Sequence, residues 1–338
     1  MFGVDQNSVD SSAFISTQRE KLIDAIVIIS VGEVAGGKHT DLSIATIRRI
    51  GKWKGDIFVI TDRPHCFKSS VDNFHVKIIT IPPIKSVINI KALKTSIFDH
   101  LPDRIQSCLY LDSDVLLMRN LETFINDILI QSFLRLSQSS QDLSLNASLN
   151  INNFDVGLFR DDKGHFFGFC SGCEKWHTGI MYLKRNHGKS CIAAWRRILL
   201  SGKFNTDQEA IDEAESINSC RNILTLSDRH LLFAKDYFAL LLTSGRTFLH
   251  MTSINKLQEQ DYFYREMVVP MMIKHLYDRL HKHDFRIIHK KTCDDPQVSG
   301  SSTDPAITTT AEQPIALYSP KDAVKVKIID VSEELVTR

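Results

Sequence analysis

Short apolar runs alternate with segments of helical periodicity along the first part of the chain. The apolar runs are rich in β-branched residues and are followed by glycine or proline, which predicts buried strands. The predicted strands span residues 25–31, 56–62 and 76–81. Between the first two, a helix is predicted from a cap at Thr40 or Asp41 to about Trp53, and a second helix covers residues 89–98. This alternation predicts an α/β fold with a mostly parallel sheet and right-handed crossovers.

The next strand contains two carboxylates. Residues 108–117 read Cys-Leu-Tyr-Leu-Asp-Ser-Asp-Val-Leu-Leu. Asp112 and Asp114 are two positions apart, so in an extended segment they point to the same side, and ligands of open α/β sheets collect at the carboxyl ends of strands. Converging carboxylates repel each other without a cation, and oxygen ligands suit magnesium or manganese. The alternative is a solvated turn after a core strand.

The second half of the chain has a less regular pattern. A helix is predicted to open at Asn205 or Thr206, with acidic residues in its first turn. A short strand is predicted to end at His250. The remaining predictions are a strand over residues 176–183, a helix over 190–200, a helical or mixed segment over 231–242 and a basic helical segment over 262–291.

Composition divides the chain into a folded part and polar flanks. Residues 1–20 are polar and are predicted to be a disordered N-terminus. Residues 21–291 are predicted to form one domain, in which residues 131–153, rich in Ser, Gln and Asn, form an inserted loop. Residues 292–338 form a low-complexity tail, because a sequence rich in Ser, Thr and Pro buries little apolar surface.

Charge and hydropathy exclude two classes of protein. The 338 residues carry a formal net charge of +1, so the chain lacks the basic field of a nucleic-acid binder. No apolar run reaches the roughly 18 residues of a membrane span, which predicts no transmembrane segment in this chain. The first 20 residues lack the pattern of a signal peptide. This predicts a cytoplasmic protein, or a Golgi or secretory lumen if the natural N-terminus is longer.

The seven cysteines leave their chemistry open. An odd number argues against a complete disulfide framework. Cys170 and Cys173, with His165 and His177, form a His-x4-Cys-x2-Cys-x3-His cluster. That cluster predicts either zinc binding, a disulfide or ordinary thiols.

Four short motifs follow one another along residues 25–256 and resemble one known family. They are Leu-Tyr-Leu-Asp-Ser-Asp at 109–114, His-Thr-Gly-Ile at 177–180, Asp-Gln at 207–208, and a His-x5-Lys segment at 250–256. In this order they resemble the GT-A-fold nucleotide-sugar glycosyltransferases, closest to the glycogenin-like, retaining branch. The resemblance implies a Rossmann-like GT-A fold, with a mostly parallel sheet flanked by helices in a single catalytic domain. A C-terminal helical region would follow that domain.

The resemblance also implies roles for individual residues. Asp112 and Asp114 would bind manganese, or magnesium, that holds the donor diphosphate, and His250 would be the third ligand. Lys256 would contact the diphosphate. Asp207 and Gln208 would lie beside the transferring sugar, as the catalytic pair.

The donor sugar would be bound by a further group of residues. Ser113, His177, Thr178 and Gly179 match the family's nucleotide-sugar site. Two positions depart from the family: His177 replaces the usual asparagine, and Ser253 stands where glycine is usual.

Residue chemistry supports a diphosphate site independently of the family. Lys91 and Lys94 are candidate phosphate contacts, since ammonium groups act as point charges there; solvated helix-surface lysines are the alternative. Asp207 or Gln208 would position the sugar or stabilise an oxocarbenium-like transition state. The alternative for Asp207 is that it only stabilises a helix N-terminus.

The expected function is therefore metal-dependent transfer of a hexose from a nucleotide sugar, a UDP-sugar, to an acceptor hydroxyl with retention. The acceptor would be a glycan, a protein or a small molecule. One alternative is a non-catalytic nucleotide-sugar-binding or scaffold protein. A nucleotidyltransferase is disfavoured by the absence of Gly-x4-Gly-Lys-Ser/Thr. The sharpest expectation is geometric: His250 must lie beside Asp112 and Asp114.

Overall fold

The computed structural model describes residues 22–32, 35, 38–139, 154–160, 176–233, 245–251 and 274. Several sequence predictions lie outside these residues. They are the N-terminus at 1–20, most of the predicted loop, the 262–291 helix apart from residue 274, the tail at 292–338, Lys256, and His165, Cys170 and Cys173 of the cysteine cluster.

A seven-stranded sheet forms the centre of the described fold. Its strands are β1 (Ala25–Ile29), β2 (Asp56–Thr61), β3 (Lys77–Thr80), β4 (Ser107–Asp112), β6 (Val156–Arg160), β7 (Trp176–Lys184) and β8 (Ile223–Leu226). Their order is β3-β2-β1-β4-β7-β6-β8. β7 runs antiparallel to both of its neighbours, and every other pairing is parallel. The predicted α/β fold with a mostly parallel sheet is confirmed.

Seven α-helices of the described residues surround this sheet. They are α1 (Lys38–Arg49), α2 (Lys68–Phe74), α3 (Val87–Ala92), α4 (Ile97–His100), α5 (Glu122–Ser139), α6 (Lys189–Leu200) and α7 (Asp207–Ser216). Strand side chains alternate between two apolar clusters: Ile26 and Ile28 pack with α1, whereas Ala25 and Val27 pack with α3, α6 and α7. Both faces of the sheet are buried, which explains why its strands are apolar throughout.

A second, smaller sheet begins where β4 ends. It contains β5 (Val115–Leu117), β9 (Leu231–Phe233) and β10 (Phe248–His250), in the order β5-β10-β9. Only residues 113 and 114 separate β4 from β5, so the chain passes from one sheet to the other at the two aspartates. β10 runs antiparallel to β5, with His250 paired to Val115. This register brings His250 next to Asp114.

Two predicted helix boundaries were wrong. The first helix begins at Lys38, before the predicted caps. Thr40 cannot serve as the cap because its hydroxyl is buried and lies 3.0 Å from the Ser30 hydroxyl. The predicted 89–98 helix is divided into α3, a 3-10 turn at Leu93–Ser96, and α4.

The predicted inserted loop begins too early. α5 continues to Ser139, so the first residues of the 131–153 segment are helical. The polar composition of this segment suggested a loop, but residues 122–139 contain neither proline nor glycine. Serine and glutamine are compatible with a helix, and no residue there interrupts it.

The helix predicted after Asn205 or Thr206 has the expected cap. The Thr206 hydroxyl accepts a hydrogen bond from the Glu209 backbone amide, and the Glu209 carboxylate accepts one from the Thr206 amide. This capping box fixes the start of α7 at Asp207. By contrast, the predicted helical or mixed segment after Leu231 begins as strand β9.

Among the described cysteines some are disulfide-bonded and one is free, as the odd number of cysteines allows. Cys191 at the start of α6 is bonded to Cys220, beyond the end of α7. Cys66 is also disulfide-bonded, whereas Cys108 is free and buried. The Cys191–Cys220 bond was missed because 29 residues separate its partners. It ties the hairpin formed by α6 and α7 at its open end.

None of the helices among the described residues is long and apolar enough to cross a membrane.

We predict that the Cys191–Cys220 bond stabilises the fold through chain entropy. A cross-link that closes a loop of about 30 residues is worth roughly 3 kcal/mol. The double variant Cys191→Ala/Cys220→Ala should lose about that much free energy of unfolding, measured with urea under non-reducing conditions. The difference between the variant and the wild type should shrink when both are measured in reductant. A difference of the same size in reductant would assign the loss to side-chain packing instead.

Candidate functional site

Asp112 and Asp114 lie at the carboxyl end of β4, where the chain leaves the main sheet. Asp112 is the last residue of the strand, and Asp114 lies in the turn that leads to β5. The backbone carbonyl of Asp114 accepts a hydrogen bond of 3.0 Å from the Met251 amide. That bond ties the turn to the end of β10 and so fixes the distance between the aspartates and His250.

His250 lies beside both aspartates, as predicted. Its Nε2 is 3.1 Å from Asp114 Oδ1 and 3.9 Å from Asp112 Oδ2, although 136 residues separate His250 from Asp114. One ligand atom from each of the three residues lies within 4.8 Å of the other two. Burial alone would raise the pKa of Asp114, but its hydrogen bond and charge interaction with His250 outweigh this and lower it.

The two oxygens of Asp112 face different partners. Oδ1 accepts a hydrogen bond from the Tyr110 hydroxyl and lies 2.9 Å from Lys94 Nζ. Oδ2 faces His250. Burial and the nearby Asp112 carboxylate raise the pKa of Tyr110 well above its usual value, so the phenol stays protonated and donates. Asp112 is thus held in place through Oδ1, and its Oδ2 faces His250.

Lys94 connects the aspartate cluster to helix α7. Its Nζ lies 2.9 Å from Asp112 Oδ1 and 2.7 Å from Asp207 Oδ2, and it donates over 3.4 Å to the Thr178 carbonyl. Burial alone would lower the pKa of Lys94, but the two carboxylates outweigh it and raise the pKa. An ammonium has three donors, and three protein oxygens take them here. The predicted phosphate contact does not fit this arrangement.

Asp207 is buried and ionised. It is the first residue of α7 and only 6% exposed. Its Oδ2 accepts hydrogen bonds from Lys94 and, over 2.7 Å, from the Thr178 hydroxyl. Burial opposes ionisation, but Lys94 and Thr178 outweigh it and lower the pKa of Asp207 to about 2. Trp195 donates to the Asp207 backbone carbonyl over 2.8 Å. Asp207 therefore does more than cap a helix.

His177 contacts the histidine of the cluster directly. Its Nε2 is 2.8 Å from His250 Nδ1, and the two rings meet edge to face. The Phe233 ring packs edge to face on His177. Both histidines are almost fully buried. His177 therefore orients His250. Cys170 and Cys173 lie outside the described residues, so zinc binding by their cluster stays a prediction.

Gly179 has no side chain, and side chains of the cluster occupy the space where one would lie. A Cβ at this position would lie 2.7 Å from His177 Cε1, 2.9 Å from Asp112 Oδ2 and 2.9 Å from His250 Cε1. Such contacts are shorter than van der Waals distances. Any larger residue at 179 would displace a side chain of the cluster.

The remaining predicted site residues either lie near the aspartate cluster or fall outside the described residues. Ser113 lies in the turn between the two aspartates, and Gln208 follows Asp207 in α7; both are partly exposed. Lys91 donates over 2.6 Å to the Asn205 carbonyl, near the start of α7. This contact does not join Lys91 to the aspartates. Lys256 lies outside the described residues.

The cluster has the donor set of a divalent cation site. Two carboxylates and one imidazole are the ligands that suit manganese better than calcium. His250 Nδ1 is occupied by His177, which leaves Nε2 facing the carboxylates. A hydrogen bond to the ring nitrogen that does not bind the metal fixes the orientation of a metal-binding histidine. Asp112, Asp114 and His250 therefore fit a bound manganese or magnesium ion.

Sequence reasoning missed three residues that shape the site. Tyr110 holds Asp112, Trp195 holds the backbone of Asp207, and Phe233 packs against His177. Tyr110 offered a signal, because it lies two positions before Asp112 and therefore on the same side of the strand. Trp195 and Phe233 offered none, since both belong to distant segments of the chain.

Comparisons with known proteins found similarity only in structure. No protein-family model matches the chain, and no curated protein sequence matches it. A glycosyltransferase involved in glycosylation of the major capsid of PBCV-1 aligns with a TM-score of 0.40 and 11% identity, covering 68% of this chain and 94% of that one. The glycosyltransferase GlyE of Streptococcus pneumoniae TIGR4 aligns with a TM-score of 0.45 and 15% identity, covering 75% of this chain and 64% of that one.

A third similar structure is the galactosyltransferase LgtC in complex with donor and acceptor sugar analogs. It aligns with a TM-score of 0.44 and 12% identity, covering 76% of this chain and 95% of that one. With identities and TM-scores this low, the functional assignment depends on the geometry of the site in this chain.

Proposed function

We propose that this protein is a metal-dependent glycosyltransferase that moves a hexose from a UDP-sugar to an acceptor hydroxyl with retention of configuration. The observation that carries the proposal is the convergence of Asp112, Asp114 and His250 at the carboxyl end of β4. His250 is 136 residues from Asp114 in sequence, so it has no local reason to meet the two aspartates. Their meeting point is where open α/β sheets bind ligands.

A cation at this place would supply the charge that transfer from a nucleotide sugar needs. A nucleoside diphosphate leaves with growing negative charge, and a divalent cation neutralises that charge and orients the donor. Asp112 Oδ2, Asp114 Oδ1 and His250 Nε2 would hold the ion. Gly179 keeps the space beside these atoms open. Ser113, in the turn between the two aspartates, would lie next to the bound diphosphate, and Lys256 would contact it.

Asp207 would act on the sugar as a fixed negative charge. Its low pKa keeps it ionised at neutral pH, and a preorganised carboxylate stabilises the positive charge of an oxocarbenium-like transition state. Lys94 contacts Asp112 and Asp207 with one ammonium group. The ion site and the sugar site are therefore held at a fixed separation. Gln208 and Thr178, beside Asp207, would bind sugar hydroxyls.

The disulfide chemistry supports an oxidising compartment. Disulfides persist in secretory and extracellular environments and are rare in the cytosol. Cys191–Cys220 and the bonded Cys66 are both in the described fold. We therefore favour a secretory lumen over the cytoplasm, with a nucleotide sugar and an acceptor as the partners.

The first prediction concerns turnover. With manganese, the wild type should hydrolyse or transfer from UDP-glucose or UDP-galactose, and EDTA should abolish the reaction. Asp114→Asn should lower the metal-dependent rate by on the order of a hundredfold or more, because it weakens ion binding. Its melting temperature should stay near that of the wild type, since the Asp114 side chain is 32% exposed.

The matched control for this variant is Asp72→Asn, which removes an exposed carboxylate on α2. It should keep full activity. Undiminished turnover by Asp114→Asn would place the metal elsewhere. Tight binding of manganese and a UDP-sugar by calorimetry, with no turnover of any donor, would instead favour the non-catalytic binding protein.

The second prediction concerns Lys94. Lys94→Met leaves the buried Asp207 carboxylate and the partly buried Asp112 carboxylate without their cation, which should lower the free energy of unfolding by about 3 kcal/mol. Lys91→Met is the matched control, three residues away, and should change it by less than about 0.5 kcal/mol. Adding Asp207→Asn to Lys94→Met should recover part of the loss. Equal stability of the two lysine variants would contradict a structural ion pair.

The Lys94–Asp207 ion pair predicts that the free energy of unfolding depends on pH. The folded pKa of Asp207, about 2, is lower than its usual value. Its stabilising contribution is therefore present above about pH 4 and is lost as the pH falls towards 2. Urea denaturation of the wild type should show this loss, and Lys94→Met should show much less of it.

The third prediction concerns His177. If His250 Nε2 binds the ion, His250 Nδ1 carries a proton and donates it to His177 Nε2. His177→Phe removes the acceptor and should weaken manganese binding about 10–100-fold, measured by electron paramagnetic resonance titration. His177→Asn should restore part of the affinity through its amide oxygen. His65→Phe, at an exposed position, is the control; unchanged affinity in His177→Phe would rule out this positioning role.

A further inference from the structure

A cavity lies at the other end of the small sheet. It has a volume of about 500 Å³ and is lined by Arg119, Thr123, Asp228, Arg229, His230, Gly245 and Arg246. His250 is at the carboxyl end of β10, whereas Arg246 precedes the amino end of that strand. β5 runs antiparallel to β10, so Arg119, which follows Met118 beyond the end of β5, lies at the same end of the small sheet as Arg246. The cavity is therefore separate from the aspartate cluster.

The floor of the cavity is a buried hydrogen-bond network. His230 is 2% exposed; its Nδ1 lies 2.8 Å from the Thr247 hydroxyl and its Nε2 lies 2.6 Å from Asp127 Oδ2. Asp127, on α5, also pairs with the Arg229 guanidinium. The Phe124 ring packs edge to face on His230. These contacts hold the backbone of three segments at fixed positions around the cavity.

The cavity carries an excess of positive charge. It contains the three guanidinium groups of Arg119, Arg229 and Arg246, whereas the nearby carboxylates are the two of Asp228 and the buried Asp127. Burial first, and then the charges of Arg229, Arg246 and Arg119, lower the pKa of His230 to about 4. The imidazole is therefore neutral at neutral pH. Thr247 then donates to Nδ1, and Nε2–H donates to Asp127.

Two of the arginines keep donors for a ligand. Arg229 has 63% of its side chain exposed, and within the described part of the chain it contacts Asp127 and His230. Arg246 donates from Nη1 to the Asp228 backbone carbonyl over 2.5 Å. A guanidinium has five N–H donors, so these contacts leave several on each residue. Thr123 adds a hydroxyl to the lining.

We propose that this cavity is a second ligand site that binds a phosphate or sulfate ester carried on a sugar-sized molecule. Guanidinium groups bind tetrahedral oxoanions through paired N–H donors, with geometric specificity that lysine lacks. The volume falls within the roughly 300–1,000 Å³ of small-molecule sites, so the cavity has room for the organic part of the ester. Nothing in the proposed transfer reaction requires this site.

The test is titration of the full chain at constant ionic strength, in EDTA, with four probes: inorganic phosphate, inorganic sulfate, glucose 6-phosphate and glucose. Constant ionic strength separates binding from general screening. The wild type should bind glucose 6-phosphate saturably, by calorimetry and by a rise in melting temperature. Inorganic phosphate and sulfate should bind more weakly, and glucose should not bind.

The double variant Arg119→Gln/Arg246→Gln should weaken glucose 6-phosphate binding at least about tenfold, because two charged donors are lost. The matched control is Arg196→Gln, on α6 and 49% exposed, which should bind as the wild type does. If the double variant does not fold, Arg246→Gln alone should still weaken binding while the near-ultraviolet circular dichroism stays unchanged.

Three results would overturn the proposal. The first is the absence of a saturable signal with any anion. The second is equal affinity in the wild type and the arginine variants, which would place the anion at another site. The third is equal affinity for inorganic phosphate and glucose 6-phosphate. It would mean that the site recognises the oxoanion alone and makes no use of the organic part of an ester.

Discussion

The contact of one buried ammonium with two carboxylates is the constraint on which the site depends. Lys94 lies at the 3-10 turn between α3 and α4, Asp112 at the end of β4, and Asp207 at the start of α7. The Asp207 carboxylate could not be buried this deeply without a cation, because an unpaired buried charge costs several kcal/mol. The ion pair therefore fixes the position of α7 relative to the central sheet. It also leaves Asp112 Oδ2 directed at His250.

Around this ion pair, each element of the site is positioned by its neighbour. The capping box of Thr206 and Glu209 sets where α7 begins, and Trp195 of α6 holds the backbone of Asp207. The Cys191–Cys220 bond ties α6 to the segment beyond α7. On the other side, the turn after β4 and the pairing of β5 with β10 determine where His250 lies. Preorganisation of this kind is what a site needs to stabilise charge in a transition state.

The small sheet links two polar sites through one short strand. β10 ends at His250, in the aspartate cluster, and Arg246 precedes its other end in the arginine-lined cavity. His177 and Phe233 buttress His250, while Asp127 and Thr247 hold His230. Both ends of the strand are thus fixed by buried hydrogen bonds, which are costly to break when a partner is removed. A ligand at either end meets a rigid framework.

The sequence by itself determined strands β1 to β4 and β7, the α/β class and the two aspartates, but not strands β6 and β8. These follow from local patterns: apolar runs, the two-residue repeat of a strand, and the capping residues before Asp207. It did not determine the extent of α5, because polar residues without a helix breaker fit a loop or a helix equally well. It also gave no sign that Lys94 pairs with Asp112 and Asp207, that His177 contacts His250, or that Cys191 bonds Cys220. Those contacts join residues 18 to 113 positions apart. Only the packing of the whole chain brings such residues together, because local periodicity carries no information about distant partners.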